Sequence, residues 1–249
     1  MTIALITGGN KGIGYETARL LGERGMTVLV GSRSEERGRE AVQRLRAVRV
    51  EAYAVVLDVT DEASIAAAAK RIDKEFGRLD VLINNAGIAQ GSADGRASSD
   101  TLDVMRRVYE TNVFGVVAVT NAMLPLLRRS PSARIVNVSS EVGSISTQGN
   151  PDGPLWPMRS VPYPSSKAAL NMLTMQYAKE LSEAGIKVNA ANPGYCATDL
   201  NGFRGYRTPE QGARVSVHLA TMPDDGPTGV LWGDRSMSHG THEDGVIDW

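Results

Sequence analysis

The chain has 249 residues, 42% hydrophobic and 22% charged, enough for one well-buried core and near the upper size of a single α/β domain. Its 27 basic residues almost balance 28 acidic ones, so no overall field draws it to nucleic acid or an anionic membrane, and a small molecule is the expected partner. One cysteine, Cys196, excludes an intramolecular disulfide and a cysteine-built zinc site and fits a reducing compartment such as the cytoplasm. "MTIALITGGN" has no basic leader region, and its apolar run is too short for a signal peptide or a membrane span, so the mature chain is expected to start at or near Met1.

Seven short runs rich in valine and isoleucine recur along the chain: 3–7 ("IALIT"), 27–31 ("TVLVG"), 52–58 ("AYAVVLD"), 79–87 ("LDVLINNAG"), 134–140 ("RIVNVSS"), 186–194 ("IKVNAANPG") and 228–234 ("TGVLWGD"). Stretches of helical period separate most of them, among them "YETARLLGERG", "DEASIAAAAKRIDKEFG" and "SSKAALNMLTMQYAKELSEAG", several ending in glycine. Apolar strands alternating with crossover helices predict one α/β domain over 1–249: a doubly wound, seven-stranded, mainly parallel sheet with helices on both faces. Ligands bind such sheets at the carboxyl ends of the strands. Residues 141–162, rich in Gly, Pro and Ser, and the tail from about 235 to 249 break the rhythm.

After the first run comes "TGGNKGIG", in which Gly8, Gly12 and Gly14 lead into a helix expected to begin near Tyr15. Glycines let backbone N–H groups of Asn10, Lys11 and Ile13 approach a pyrophosphate, and the helix N-terminus adds a partial positive charge. The spacing is G-x-x-x-G-x-G, so context carries more weight than the pattern. Where a carboxylate would accept hydrogen bonds from a ribose 2′-hydroxyl, the second run ends in Ser32 and Arg33, with Arg37 one turn on. An arginine fork suits a 2′-phosphate, with Lys11 as a further cation, so NADP(H) is expected rather than NAD(H).

"YPSSK" sets Tyr163 one helical turn ahead of Lys167. An ammonium at that spacing is expected to lower the phenol pKa, which makes Tyr163 a candidate general acid. Pro164 is tolerated in the first turn because no partner awaits its missing N–H. "NNAG" (84–87) at the end of the fourth run, Asn112 in the helix that follows and Ser139 at the end of the fifth all point to one sheet edge.

Together these motifs resemble the classical short-chain dehydrogenase/reductases. "TGGNKGIG", Asp58 and Val59 in "LDVT", "NNAG", Asn112, Ser139, "YPSSK" and "NPGYCATD" (192–199) stand in family order over nearly the whole chain. The branch most similar is that of NADPH-dependent carbonyl reductases. The resemblance implies a Rossmann-type fold, NADPH/NADP+ as cofactor and reduction of a ketone or aldehyde, with Tyr163 protonating the carbonyl oxygen and Ser139 hydrogen-bonded to the same oxygen. Lys167 would hold the nicotinamide ribose and Asn112 a water of the proton path. Asp58 and Val59 would flank the adenine, Asn85, Ala86 and Gly87 the adenosine ribose, and Pro193, Gly194 and Thr198 the nicotinamide end.

Ser139 and Tyr163 stand 24 positions apart, more than in the commonest members of that family. The added segment 141–162 reads as a lid. It brings Val142, Ile145, Trp156 and Met158 to the active-site edge and, in the similar branch, covers a helix face used for tetramers. The expectation is a monomer, with a dimer as alternative, and a pocket for a medium-sized apolar or aromatic substrate lined by Ser139, Trp156, Tyr163 and Tyr195. Phe203 and Tyr206 are further candidate walls, Cys196 reads as a small buried filler, and His239, His242, Glu243 and Asp244 lack the ligand set for a metal, so none is expected. Reduction of an imine or iminium carbon is the alternative chemistry, and a non-catalytic NADP sensor the alternative class. An epimerase with a C-terminal substrate domain is disfavoured by the short stretch after Thr198.

Overall fold

A computed structural model describes all 249 residues, Met1–Trp249. All seven apolar runs form strands: β1 Ile3–Ile6, β2 Thr27–Ser32, β3 Ala52–Val56, β4 Val81–Asn84, β5 Arg134–Val138, β6 Lys187–Asn192 and β7 Leu231–Asp234. They pair in parallel in the order 3-2-1-4-5-6-7, a doubly wound sheet whose strand order reverses between β1 and β4. The sheet has eight strands rather than seven. Asp244–Ile247 of the tail forms β8, antiparallel to β7, and buries Ile247 against Ala190 and Leu231 while Val246 faces solvent.

Helices α1 Gly12–Glu23, α2 Glu35–Ala47, α3 Glu62–Phe76, α4 Leu102–Tyr109, α5 Gly115–Leu127, α6 Ile145–Gln148, α7 Pro162–Leu181 and α8 Pro209–Ala220 make the crossovers and connections. Several starts are set by a short polar side chain that takes an otherwise unpaired N–H: Ser34 for α2, Asp61 for α3, Thr208 for α8. Strand alternation divides the core. Ile3, Leu5 and Leu29 pack with Ile65 and Ile72 of α3, Val119 and Met123 of α5 and Leu181 of α7, whereas Ala4, Ile6, Val28 and Val30 pack with Leu21 of α1, Leu45 of α2 and Val215 and Val217 of α8.

Two local features aim residues at the carboxyl edge of the sheet. Between α4 and α5 the rod widens into a π turn, Glu110–Phe114, with Asn112 buried inside it, a distortion often found at functional sites. The insertion 141–162 is not a bare loop: a 3-10 turn at Glu141–Gly143 leads into α6. Gly143 sits so close to α7 that a Cβ would lie 2.6 Å from the Lys167 carbonyl carbon, so this turn lies flush on the first turns of the helix.

Candidate active site

The glycine turn is held open by the neighbouring strand. Gly8 and Gly12 have φ of 61° and 55°, a backbone region that side chains disfavour, and a Cβ on Gly14 would lie 2.4 Å from the Asn85 amide. Asn85 Nδ2 donates to the carbonyls of Thr7 (2.9 Å) and Gly8 (3.2 Å), and the N–H groups of Asn85 and Ala86 both donate to Thr7 Oγ1 at 2.9 Å. Asn85 thus fixes the turn from behind, a role for "NNAG" that only the three-dimensional structure discloses. Helix α1 starts at Gly12, earlier than Tyr15, and no side chain caps it, which leaves its first-turn N–H groups to meet an anion. Ile13 sends its side chain into the core below. These features fit a pyrophosphate.

At the end of β2, Arg33 and Arg37 are exposed and make no ion pair, so both guanidinium groups are available to a phosphate. Two expected neighbours are engaged elsewhere. Ser32 is buried, its hydroxyl donating to the Ser34 carbonyl at 2.9 Å, because the turn into α2 needs that bond. Lys11 does not sit beside the arginines: its ammonium pairs with Asp199 across the cleft. Arg44, absent from the sequence-based set, donates to the Asn10 carbonyl at 3.2 Å and lies 4.5 Å from the Tyr15 ring centre. Asp58 Oδ1 accepts from the N–H and hydroxyl of Thr60, and Val59 packs beside the α3 and α5 core.

The opposite side of the cleft comes from β6. Thr198 is buried with its methyl toward Gly12, which places the two loops face to face. Gly194 has φ of 74°, and a Cβ there would meet the Asp234 carboxylate at 2.5 Å. The Pro193 carbonyl accepts from the Cys196 thiol at 3.3 Å, and burial pushes that thiol up to about 11, as a filler's would be. Tyr195, which lies in this loop, is substantially exposed, as are Trp156, Met158, Leu200 and Phe203. Tyr206 hydrogen-bonds Asp234 and is thereby drawn toward the tail.

On α7, Tyr163 keeps part of its surface accessible while Lys167 is buried. Lys167 Nζ donates to the Val138 carbonyl at 2.7 Å and stands 5.6 Å from the Tyr163 ring centre. Lys167 does not bring the phenol pKa below its ordinary value: the net shift is upward. Burial pushes it up to about 12, opposed by a hydrogen bond with Ser140, and burial pulls Lys167 down to about 8. The phenol therefore stays protonated at neutral pH, the form in which it can donate. Asn112 bridges to Ile88, donating to its carbonyl and accepting from its N–H at 2.9 Å each, and reaches Ser166 Oγ at 3.1 Å. Gly87 lies beside both Asn112 and Lys167.

The serine beside Tyr163 is Ser140, not Ser139. Side chains at 135, 137 and 139 alternate onto the α7 face: Ile135 enters the core there, Asn137 donates to Thr174 at 2.9 Å, and Ser139 donates to Asn171 at 2.5 Å. That phase buries Ser139, whereas Ser140 follows the end of β5 and turns out toward the phenol. The period-two pattern of "RIVNVSS" carries this signal.

The profile of the short chain dehydrogenase family matches residues 2–206. The chain is 40% identical over 227 residues to the short-chain dehydrogenase anuI of Penicillium roqueforti (strain FM164), covering 88% of each chain. It is 35% identical to carbonyl reductase (NADPH) 1 of Bos taurus, with 94% of this chain and 97% of that one covered. A crystal structure of actinorhodin polyketide ketoreductase with NADPH superposes with a TM-score of 0.81 at 30% identity, covering 92% of this chain and 94% of that one. A glycine cradle fixed by Asn85, a buried lysine behind a protonated tyrosine and the reversal point of a doubly wound sheet stand together here, and the chain belongs to the short-chain dehydrogenase/reductase family of oxidoreductases.

Proposed function

We propose that this protein is an NADPH-dependent reductase of a ketone or aldehyde carried on a medium-sized apolar or aromatic molecule. The observation that carries the reading is the placement of Tyr163 at the carboxyl edge of the sheet, with Ser140 beside its phenol and Lys167 5.6 Å from its ring centre. NADPH, when bound, supplies the hydride. Tyr163 gives its proton to the carbonyl oxygen and Ser140 hydrogen-bonds the same oxygen, so negative charge developing there meets two donors. Lys167 faces the phenolate that forms and lowers the energy of that anion. Asn112 holds the π turn and the loop after β4, at Ile88, together behind this group.

The unpaired Arg33 and Arg37 favour NADPH, since a 2′-phosphate gains two guanidinium partners that a ribose hydroxyl does not need. The same preference is supported by the NADPH named for the bovine relative and the actinorhodin ketoreductase. The exposed apolar side chains of Trp156, Met158, Tyr195 and Phe203 support an apolar or aromatic substrate. The insertion resting on the first turns of α7 supports a monomer, checked by sedimentation; a tetramer would reject it.

The test is the fall in NADPH absorbance with aromatic ketones, quinones, aldehydes and cyclic imines, with NADH in parallel. Tyr163→Phe is expected to lower kcat by about 10²-fold or more. Arg33→Ala is expected to raise KM for NADPH about 10-fold, some 1.4 kcal/mol, and to leave NADH unchanged. Full activity in Tyr163→Phe would overturn the mechanism, equal losses with both cofactors would overturn the assignment of Arg33, and turnover of imines alone would replace the carbonyl.

A further inference from the structure

Glu141 follows Ser140 directly and is 3% exposed, yet no lysine, arginine or histidine pairs with it. Its carboxylate instead accepts two backbone N–H groups of the tail, from Met237 at 3.1 Å on Oε2 and from Ser238 at 2.6 Å on Oε1. Its own N–H donates to Asn192 Oδ1 at 3.1 Å, and Asn192 Nδ2 donates to the Asp234 carbonyl at 2.5 Å. Asn192 is the last residue of β6, and the Gly194 N–H reaches the same Oδ1 at 3.4 Å. One residue thus joins the serine turn, the loop at the Pro193–Gly194 end of the cleft and the tail.

The attachment continues along the insertion. Ser144 Oγ donates to the Asp248 carbonyl at 2.6 Å, and the Ser146 N–H donates to the Trp249 carbonyl at 3.2 Å. On its other side the turn meets the α7 backbone through Gly143, where no side chain fits. A turn held between a helix and a tail has one position, and Ser140 is its first residue, accepting the Val142 N–H at 3.3 Å. A buried carboxylate is costly unless its lone pairs are filled, so its presence calls for a reason beyond packing.

We infer that Glu141 is a positioning residue: by clamping the 235–249 tail to the turn after β5 it fixes Ser140 against Tyr163 and so sets the turnover rate without contacting substrate. The consequence for turnover rests on the reductase reading above. Glu141→Gln keeps one acceptor and sets an NH₂ against the second tail N–H; Ser238→Pro removes the 2.6 Å donor from the other side of the clamp. Each variant is expected to lose about 10-fold in kcat while NADPH Kd moves less than about 3-fold, with Glu141→Ala lower than Glu141→Gln and the double variant no worse than Glu141→Gln alone. Hydrogen exchange at the Val142 and Gly143 N–H groups, which bond Ser140, is expected to quicken in both variants.

Variants with wild-type kcat and wild-type exchange would overturn the clamp, as would a loss of kcat that merely follows NADPH affinity or the folded fraction. Faster exchange with unchanged kcat would reduce Glu141 to a tail anchor and overturn its positioning role. A wild type that binds NADPH and turns over none of the compounds would refute the reductase reading, with the clamp then judged on exchange alone.

Discussion

Lys167 carries a charge that the fold holds at a cost. Its side chain is 5% exposed, bonds only the Val138 carbonyl and has no carboxylate partner, and burial alone pulls its pKa from 10.5 to about 8. Because the folded pKa lies below the unfolded one, the unfolded chain binds more protons between pH 8 and 10.5, and stability rises with pH across that window. The cost is fully present below pH 8 and amounts to about 3 kcal/mol. Lys167→Met removes it, together with one charge-assisted hydrogen bond worth ~1.5–3 kcal/mol. The stability of Lys167→Met relative to wild type is therefore greatest near pH 7 and declines by about 3 kcal/mol above the unfolded lysine pKa. Urea unfolding of the cofactor-free proteins at steps from pH 7 to pH 10.5 reads this directly. A difference independent of pH would refute the argument, since it would mean that Lys167 keeps its ordinary pKa in the fold.

Ser140→Ala is expected to reduce kcat by about 10²-fold with stability unchanged, and Ser139→Ala to keep kcat and lose about 1 kcal/mol through its buried bond to Asn171; the reverse pattern, by steady-state kinetics and urea melts, would restore Ser139 to the site. The depressed Lys167 pKa predicts that kcat/KM for reduction falls above about pH 8 and that Lys167→Arg abolishes this limb of the profile. Cys196, buried with its thiol pushed up to about 11, is expected to resist iodoacetamide in the native protein and to react at once in urea; labelling at equal rates would place it at the surface.

Much of the architecture is determined locally. Runs of valine and isoleucine between helical stretches leave little choice but a parallel sheet covered on both faces; all seven runs are strands, the central ones buried on both sides and the edge strand β3 only partly, with Val56 exposed. The glycine turn and the Tyr163–Lys167 spacing are likewise short-range patterns, which is why both could be read from the chain. Strand β8 has no such pattern: Asp244–Ile247 offers only Val246 and Ile247 as β-branched residues and becomes a strand because β7 presents it an open edge.

The site was less legible wherever a residue's partner lies far along the chain. Lys11 reads as a phosphate ligand until Asp199, 188 positions away, takes its ammonium. Ser139 and Ser140 are equivalent letters, separated only by the alternation that turns one into α7 and the end of β5 that releases the other. Glu141 shows nothing in sequence beyond a charge in a Gly- and Ser-rich stretch; its meaning comes from two tail N–H groups some 96 and 97 residues on. Periodicity and turn chemistry act between neighbours and are written in the sequence, whereas a side chain's partner is settled by which distant segments the packed sheet brings within hydrogen-bonding reach.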